Sequence, residues 1–282
     1  MSRLSGDLIR HGLPTFVFGQ NVVYIEQTGS TNTELKRLAQ WGAPEGMLYI
    51  TDEQLVGRGR LERSWQAPPQ SSLLMSLLFR PAGLVAPHQA QRLTMLCALA
   101  LADAIEEHTE LSAGLKWPND LVWVDGKKLA GILTELDIED EQLKWAVVGL
   151  GLNVNLDFSG QTKAEADRPG RPGSGGPPLA QTATSLSMIM GRDTGGLRLP
   201  LVKSFLFNVE QRYNALRQGQ LPHQDWQERL VGLGQPVSVT FLEGGQRHEG
   251  VMSGVDENGA LLLRQTDGST ITIFAGDVTL RS

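Results

Sequence analysis

The sequence predicts an α+β core followed by a small β-barrel. Helical patterns stand before and after a strand-rich middle instead of alternating regularly with single strands, and this order favours an α+β fold over a doubly wound one. In residues 233–282, short alternating apolar segments are separated by turn sequences such as Asn258-Gly259 and Asp267-Gly268, which is typical of a small barrel. A chain of 282 residues is long enough for one large domain with such an appendage.

The first half of the chain carries both strand and helix patterns. β-Branched and aromatic residues predict a strand at 22–26, and Thr31 with Glu34 has the spacing of a helix capping box. Gly42 is a typical stop for the helix that follows. The remaining elements expected here are strands at 47–51 and 73–79 and a helix at 89–107.

The second half begins with strand patterns and ends with helices and the barrel. The expected elements are strands at 115–117, 121–124, 129–136 and 145–152 and helices at 201–216 and 226–230. Nine of the twenty residues at 159–178 are Gly or Pro, so a mobile surface loop is expected at about 157–181. The expected domains are 1–232 and 233–282.

Composition and charge exclude several classes of protein. A net charge of −6 argues against a nucleic-acid-binding surface, which needs clustered positive charge. The longest apolar run, at 95–102, is far shorter than the roughly 20 residues that span a bilayer, so no membrane association is expected. Residues 1–19 lack the apolar core of a signal peptide. The single cysteine, Cys97, lies in an apolar helical pattern, which indicates a packing role in a reducing, cytoplasmic compartment.

The strongest local feature is a basic, glycine-rich segment after the second predicted strand. Its residues of interest are Gln54, Gly57, Arg58, Gly59, Arg60, Arg63 and Trp65. Glycines let the backbone approach a ligand closely, and guanidinium groups bind carboxylates or phosphates through paired hydrogen bonds. The segment lacks the GxxxxGK[ST] pattern of a Walker loop. It is therefore either an anion-binding loop or a solvated basic loop.

A second polar cluster, Lys116-Trp117-Pro118-Asn119-Asp120, lies between two predicted strands, where proline forces a break. In such a place a lysine can neutralise phosphate, an asparagine can orient a ligand or a hydrated metal, and an aspartate can act as a base or metal ligand. The alternative is an Asx-type turn with a surface charge pair.

Two glycine-containing strands add further candidates. Lys128 precedes an apolar strand that contains Gly131, and glycine within a strand often marks a close approach by a ligand. The segment at 148–155 superficially resembles a dinucleotide fingerprint, but Val154 stands where the third glycine belongs, which excludes that fold. Asn153 is left as a candidate ligand-facing amide.

The sequence carries no signature of a metal site or of a covalent nucleophile. The five histidines, at positions 11, 88, 108, 223 and 248, are not spaced as metal pairs, so no metal site is expected. No GxSxG elbow is present. The residues alone therefore indicate a pocket for a small molecule that bears a carboxylate, a phosphate or both, with an aspartate or lysine assisting.

Taken in order, the motifs resemble those of the biotin–protein ligase family. They are Gly29-Ser30-Thr31-Asn32, Gln54 with Gly57-Arg58-Gly59-Arg60, Lys116-Trp117-Pro118-Asn119-Asp120, Lys128-Leu129-Ala130-Gly131-Ile132, and 149–153. The similarity runs from about residue 22 to residue 282 and implies a mixed sheet with flanking helices and a C-terminal SH3-like barrel. Because only residues 1–21 precede the first predicted strand, the winged-helix domain that makes some members repressors is not expected.

For biotin, the resemblance implies a pocket with a loop over it. The loop at 57–60 would close over biotin and the acyl-adenylate, Arg58 and Lys128 would face the reacting carboxylate, and Asp120 would orient and deprotonate the attacking lysine. The implied catalytic residues are Asp120, Lys128 and Arg58. The implied biotin-binding residues are Ser30, Thr31, Asn32, Gln54, Gly57, Arg58, Gly59, Arg60, Lys128 and Gly131, with Ser30, Thr31 and Gln54 at the ureido ring.

For ATP, the resemblance places Arg60 and Arg63 at the phosphates and Asn119 and Asn153 toward the nucleotide or its Mg²⁺. The implied ATP-binding residues are Arg60, Arg63, Trp65, Lys116, Asn119 and Asn153. This chain departs from the family at Glu62, where a glycine often stands, and an acidic residue there would weaken a phosphate contact by Arg63.

The implied activity attaches biotin to a protein in two steps. Biotin and ATP would give biotinyl-5′-AMP and diphosphate, and biotin would then pass to a lysine of a biotin carboxyl carrier protein or domain. ATP, Mg²⁺ and biotin are the implied small molecules, and pairing into a homodimer is left open. Two alternatives remain: a lipoate or octanoate ligase or transferase, which shares the catalytic fold and also modifies a lysine, and a non-enzymatic module that senses a carboxylate ligand. The Gly-Arg-Gly-Arg loop and the Lys-Trp-Pro-Asn-Asp motif favour biotin.

Overall fold

The computed structural model describes residues 4–60, 64–159, 179–240 and 247–280. The first seven strands are β1 (Val22–Thr28), β2 (Leu48–Gln54), β3 (Ser72–Phe79), β4 (Gly114–Lys116), β5 (Asp120–Val122), β6 (Lys128–Glu139) and β7 (Gln142–Asn153). They form one mixed sheet in the order β1-β2-β3-β7-β6-β5-β4. β1 and β2 are parallel, and the other neighbouring strands are antiparallel.

Helices cover both faces of this sheet. They are α1 (Gly6–Arg10), α2 (Thr31–Gln40), α3 (Gln91–Thr109), α4 (Leu179–Thr182), α5 (Leu186–Met190), α6 (Arg198–Arg217) and α7 (His223–Glu228), with short 3-10 turns at Pro87–Gln89 and Gly195–Leu197. α3 and α6 contribute to the main apolar core on one face. On the other face, Leu35 and Ala39 of α2 pack against Leu78, Trp145 and Val147.

The central strands are buried on both faces. All eight residues of β3 are buried, as are residues 145–153 of β7. A strand covered on both sides has no polar face to display, so its sequence is a nearly continuous apolar run. This is why the stretch at 73–79 is recognisable as a strand from sequence.

A second, five-stranded antiparallel sheet follows. It consists of β8 (Pro236–Thr240), β9 (Arg247–Val255), β10 (Leu261–Arg264), β11 (Thr270–Ile273) and β12 (Asp277–Leu280), in the order β11-β10-β9-β8-β12. Its β9–β10 turn contacts the first sheet's domain, because Trp117 Nε1 donates a hydrogen bond to Gly259 O at 2.9 Å. Arg92 of α3 donates to Asn258 Oδ1 at 2.8 Å and to Glu257 O at 3.1 Å. The two sheets are therefore fixed to each other beside Trp117.

The predicted α+β fold, with a mixed sheet and a small C-terminal β-domain, is confirmed. The strand predicted at 121–124 is wrong in extent: β5 ends at Val122, and Val124 lies in the turn after it with 85% of its surface exposed. The bonds from Trp123 N to Lys127 O and from Gly126 N to Trp123 O make that turn, so an apolar side chain there has no core to enter.

Three short helices were not expected from the sequence. α1 is capped by Ser5, whose hydroxyl accepts from Leu8 N at 3.2 Å, and α4 and α5 follow the Gly/Pro-rich stretch. The expected mobile loop at 157–181 is therefore wrong at its end, where Leu179–Thr182 is helical; residues 160–178 lie outside the described residues. In the part of the chain that the structure describes, no helix combines the length and the apolar character that crossing a membrane requires.

Candidate active site

Two glycines open one face of the sheet beneath the Trp65 indole. Gly131 on β6 pairs with Gly151 on β7. A Cβ at Gly151 would lie 2.5 Å from Trp65 Cε2, and a Cβ at Gly131 would lie 3.2 Å from Trp65 Cζ3. Any larger residue at these positions would push the ring away, so this glycine floor lets the indole lie directly on the sheet.

The basic segment closes on itself as a narrow loop. Trp65 N donates to Gly57 O at 2.9 Å, and Arg58 and Ser64 form a β-bridge. A Cβ at Gly57 would lie 2.2 Å from Trp65 O, so the two ends of the loop meet this closely only because residue 57 is glycine. Arg58 is exposed on this loop. Arg63, and with it Glu62, lies outside the described residues, and so its predicted role stays a prediction.

Lys128 and Asp120 form an ion pair next to the indole. Lys128 Nζ lies 2.7 Å from Asp120 Oδ1 and 5.6 Å from the centre of the Trp65 ring. A Cβ at Gly131 would come within 2.8 Å of Lys128 Nζ, so the ammonium group lies over this glycine. The two side chains remain 35% and 25% exposed, and an ion pair this exposed adds little to stability. The structure thus brings together a cation, a carboxylate and an aromatic ring from three separate sequence motifs.

Arg60 connects the loop to the C-terminal sheet. Its guanidinium donates to Asn119 Oδ1 at 3.2 Å and to Gly276 O at 3.3 Å, and it lies 3.6 Å from Asp277 Oδ1. Sequence reasoning missed Gly276 and Asp277. Gly276 is 216 residues from Arg60 in sequence, and no local pattern marks either residue as a neighbour of the loop. A site that was expected to belong to the first domain therefore includes the second.

Thr31, Asn32 and Gln54 meet at the start of α2. Gln54 Oε1 accepts from Thr31 N at 2.8 Å and lies 3.2 Å from Thr31 Oγ1. Ser76 Oγ lies within hydrogen-bond distance of both Thr31 Oγ1 and Asn32 Oδ1. Ser30 is buried and precedes α2, but its side chain makes no capping hydrogen bond. Ser76 was missed from sequence because it lies within the apolar stretch at 73–79, which indicates only a buried strand.

Two further predicted ATP-binding residues, Asn153 and Lys116, make other contacts. Asn153 is buried, and its Nδ2 donates to Thr184 O at 2.9 Å, so this amide holds the chain that precedes α5. Lys116 is half-buried on β4, directly opposite Asp120 in the sheet register. Neither of these contacts includes Arg60, so the roles of both residues at a nucleotide stay predictions.

Other titratable groups do not add to the site. Within the described ranges, no group of three or more His, Cys, Asp or Glu side chains is placed to hold a metal ion. Cys97 is buried in α3, and burial raises the pKa of its thiol, which makes the thiolate inaccessible.

We expect replacement of Gly151 by alanine to open the loop at 57–65. The new methyl group would lie 2.5 Å from the Trp65 ring, so the indole must leave the sheet and the loop loses its anchor. Trypsin should then cleave after Arg58 faster than in the parent chain, while the melting temperature changes little. Gly196→Ala, whose added Cβ would have no atom within 4 Å, is the control and should leave the cleavage rate unchanged.

Comparison with known families agrees with this geometry. The sequence profile of the Biotin/lipoate A/B protein ligase family matches residues 24–153, which include the glycine floor, the loop and the Lys128–Asp120 pair. The profile of the Biotin protein ligase C terminal domain matches residues 232–281, the region of the second sheet.

Individual relatives cover nearly the whole chain. The bifunctional ligase/repressor BirA of Bacillus subtilis is 32% identical over 99% of this chain and 79% of its own length. The biotin–[acetyl-CoA-carboxylase] ligase of Mycobacterium tuberculosis is 32% identical over 90% of this chain and 86% of its own. The structure of the Aquifex aeolicus biotin protein ligase in complex with biotin and ATP superposes with a TM-score of 0.67 at 27% identity, covering 93% of this chain and 99% of that one. The chain therefore belongs to the biotin protein ligase family.

Proposed function

We propose that this chain is an ATP-dependent biotin–protein ligase. It activates biotin as biotinyl-5′-AMP with release of diphosphate, and then transfers biotin to a lysine of a biotin carboxyl carrier protein. The observation that carries the proposal is the Lys128–Asp120 ion pair on the glycine floor, with Arg60 of the basic loop hydrogen-bonded to Asn119, the residue before Asp120. The positive groups can stabilise negative charge on an acyl phosphate, and the carboxylate can accept a proton.

In the first step, the biotin carboxylate attacks the α-phosphorus of ATP, and the bond to diphosphate breaks. Negative charge accumulates on the carboxylate and phosphate oxygens as their atoms approach. Lys128 Nζ, which is held over Gly131, is placed to stabilise that charge. Arg58 and Arg60 add positive charge from the loop, and the Trp65 indole excludes water that would hydrolyse the mixed anhydride.

In the second step, the amine of the acceptor lysine attacks the acyl carbon. The new C–N bond forms, the bond from the acyl carbon to the AMP oxygen breaks, and one proton must leave the nitrogen. Asp120 is paired with Lys128 beside the proposed reaction centre, so we assign it to accept that proton and to orient the incoming amine.

In this proposal, Mg²⁺ binds together with ATP and is not held permanently by the protein. Asn119 Oδ1 accepts from the Arg60 guanidinium, and a cation partner makes that oxygen a poor ligand for another cation. Magnesium is commonly held by substrate phosphates with only one or two protein groups. We therefore assign no step to the ion.

Mass spectrometry tests the proposal directly. The purified protein is incubated with ATP, Mg²⁺ and either biotin or lipoate, and then a bacterial biotin carboxyl carrier domain is added. Biotinyl-AMP and a biotinylated carrier are expected from biotin, with no lipoyl-AMP from lipoate. A lipoyl-AMP product alone would overturn the substrate assignment, and no product from either acid would favour a non-enzymatic carboxylate sensor.

Replacement of Arg60 by glycine should release biotinyl-AMP into solution. The change removes charge-assisted contacts to Asn119 and to the C-terminal sheet. The loss of one such contact, worth about 1.5–3 kcal/mol, is enough to make release about 10- to 100-fold faster. Free biotinyl-AMP is measured by filtration and mass spectrometry, with the rate of its formation as an internal reference. Unchanged retention of biotinyl-AMP would contradict the proposed role of Arg60 in holding the loop closed.

The partners we propose are biotin carboxyl carrier proteins and not nucleic acids. The net charge of −6 supports this, since it disfavours a phosphate backbone. We accordingly propose no repressor function, which titration with duplex DNA at low salt would test. A cytoplasmic location and a homodimer stay predictions, the latter to be checked by light scattering with and without biotin and ATP.

A further inference from the structure

Asn119 lies between the sheet and the basic loop, and both ends of its side-chain amide are hydrogen-bonded. It is the last residue of the turn at 117–119, directly before Asp120. Its Nδ2 donates to Ile132 O on β6, and its Oδ1 accepts from Arg60 Nη1 at 3.2 Å. The side chain therefore connects β6, the loop and the turn that leads to the proposed proton acceptor.

These two partners allow the amide only one orientation. A main-chain carbonyl accepts hydrogen bonds and has no hydrogen to give, so the group that faces Ile132 O must be Nδ2. A guanidinium group has donors and no acceptor, so the group that faces Arg60 must be Oδ1. Rotating the amide by half a turn would place two acceptors together at one end and two donors at the other. Each contact thus requires the same orientation, in which the oxygen is directed at Arg60.

The anchor of this amide is a buried part of the sheet. Ile132 is 2% exposed and pairs with Leu150 of β7. Besides accepting from the Asn119 side chain, Ile132 donates its main-chain N–H to Asn119 O at 3.0 Å. The next residue, Asp120, pairs with Gly131 in the sheet register. The sheet therefore fixes the place at which the Asn119 oxygen meets the loop.

Arg60 has partners in both domains. Asn119 contacts it from the first domain, while Gly276 O, at 3.3 Å from Nη2, and Asp277 Oδ1, at 3.6 Å from Nη1, belong to the second. The two domains are joined beside this place by the hydrogen bond of Trp117, two residues before Asn119. Loss of the Asn119 amide would leave the contacts to the second domain, so its effect should not exceed that of losing Arg60 itself.

The same contacts disfavour a direct role of Asn119 at ATP or Mg²⁺. A phosphate oxygen needs a donor, and the Nδ2 donor faces Ile132 O. A magnesium ion needs an acceptor, and Oδ1 faces a guanidinium group that repels a second cation. The contacts of this residue therefore favour a role within the protein over a contact with the nucleotide.

We propose that Asn119 is a positioning residue for Arg60, which it holds so that the loop at 57–60 stays closed over biotinyl-AMP. The inference deepens the proposed function and rests on it, since the retained compound is biotinyl-AMP. Asn119 does not touch the ligand; it acts through Arg60. Replacing it by alanine removes one of the contacts that close the loop and leaves the Lys128–Asp120 pair in place.

The first test follows the loop in the absence of ligands. Trypsin should cleave after Arg58 about tenfold faster in Asn119→Ala than in the parent chain, the effect of losing one charge-assisted hydrogen bond. In Arg60→Gly, adding Asn119→Ala should change the rate less than about twofold, because the partner through which Asn119 acts is already gone. Effects of the two changes that multiply independently would overturn the inference. So would faster cleavage at sites throughout the chain, which would show a general loss of stability.

The second test separates this role from magnesium binding. Release of biotinyl-AMP from Asn119→Ala should be about tenfold faster than from the parent chain, and the Mg²⁺ concentration that gives half-maximal adenylate formation should stay the same. A raised Mg²⁺ requirement would instead show direct contact with the ion and overturn the inference.

Asn155→Ala is the matched control. Asn155 is also half-buried with both amide ends bonded, but its partners are Asp193 and Thr194. This variant should match the parent chain in cleavage after Arg58 and in release of biotinyl-AMP. Absence of biotinyl-AMP in the parent chain would overturn the proposed function, whereas the cleavage rates would still decide whether Asn119 holds the loop through Arg60.

Discussion

Lys128→Met slows biotinyl-AMP formation by about 10²- to 10³-fold, the usual cost of removing one donor from a site of developing negative charge. Lys128 Nζ lies over the glycine floor beside Trp65, where we propose that the biotin carboxylate reacts. Methionine keeps the length and apolar packing of the side chain but removes its charge. The loss should appear in single-turnover kcat with biotin and ATP, measured by quenched flow or by release of diphosphate.

The neighbouring lysine provides a control for this variant. Lys127 pairs with Asp125 at 3.5 Å in the turn before β6, so Lys127→Met removes the same charge next to the site without touching Trp65. It should retain the parent rate. If both variants lose activity equally, the effect is one of general electrostatics, and the specific role of Lys128 is wrong.

Local patterns in the sequence are sufficient to place most of the elements. Burial along a whole element leaves a pattern in its sequence. Examples are the apolar run at 73–79 in β3 and the three- and four-residue spacing of apolar residues in α3. The error at Val124 arises because a β-branched residue in a turn cannot be distinguished, by residue type, from one at a strand end.

Contacts between distant parts of the chain cannot be predicted from local sequence patterns. Glu210 would be read as a surface residue of α6, yet it is buried, and its carboxylate accepts from Phe16 N, Val17 N and Phe18 N. It fixes a segment 194 residues away in sequence. Arg198 is similarly buried and paired with Asp52.

The candidate site divides in the same way. Residues of two motifs that follow each other closely, such as Asp120 and Lys128, can be found from sequence because the β5–β6 hairpin brings them together over a short distance. Ser76 and Asp277 cannot, because their importance comes from what lies opposite them: Thr31 in one case and Arg60 in the other. Residue type and spacing predict the chemistry of the site, while the fold determines its extent.

Asp120→Asn slows transfer of biotin to the carrier lysine by about 10²- to 10⁴-fold, the range for loss of a general base. The amide keeps the size of the side chain but cannot accept the proton that leaves the attacking amine. Adenylate formation should fall less than about tenfold, because Lys128 keeps its charge and its place over Gly131 when its partner becomes neutral. The two half-reactions are measured separately, as diphosphate release and as carrier biotinylation from preformed biotinyl-AMP.

Asp125→Asn is the corresponding control, since Asp125 pairs with Lys127 on the same hairpin and its replacement removes one carboxylate at a comparable distance along the chain. Its transfer rate should match that of the parent. Equal losses in both half-reactions of Asp120→Asn would mean that the carboxylate mainly holds Lys128 in place. A selective loss of transfer would instead mean that the two members of the ion pair have different roles. The ammonium group of Lys128 would then stabilise formation of the mixed anhydride, and the carboxylate of Asp120 would assist transfer of biotin from it.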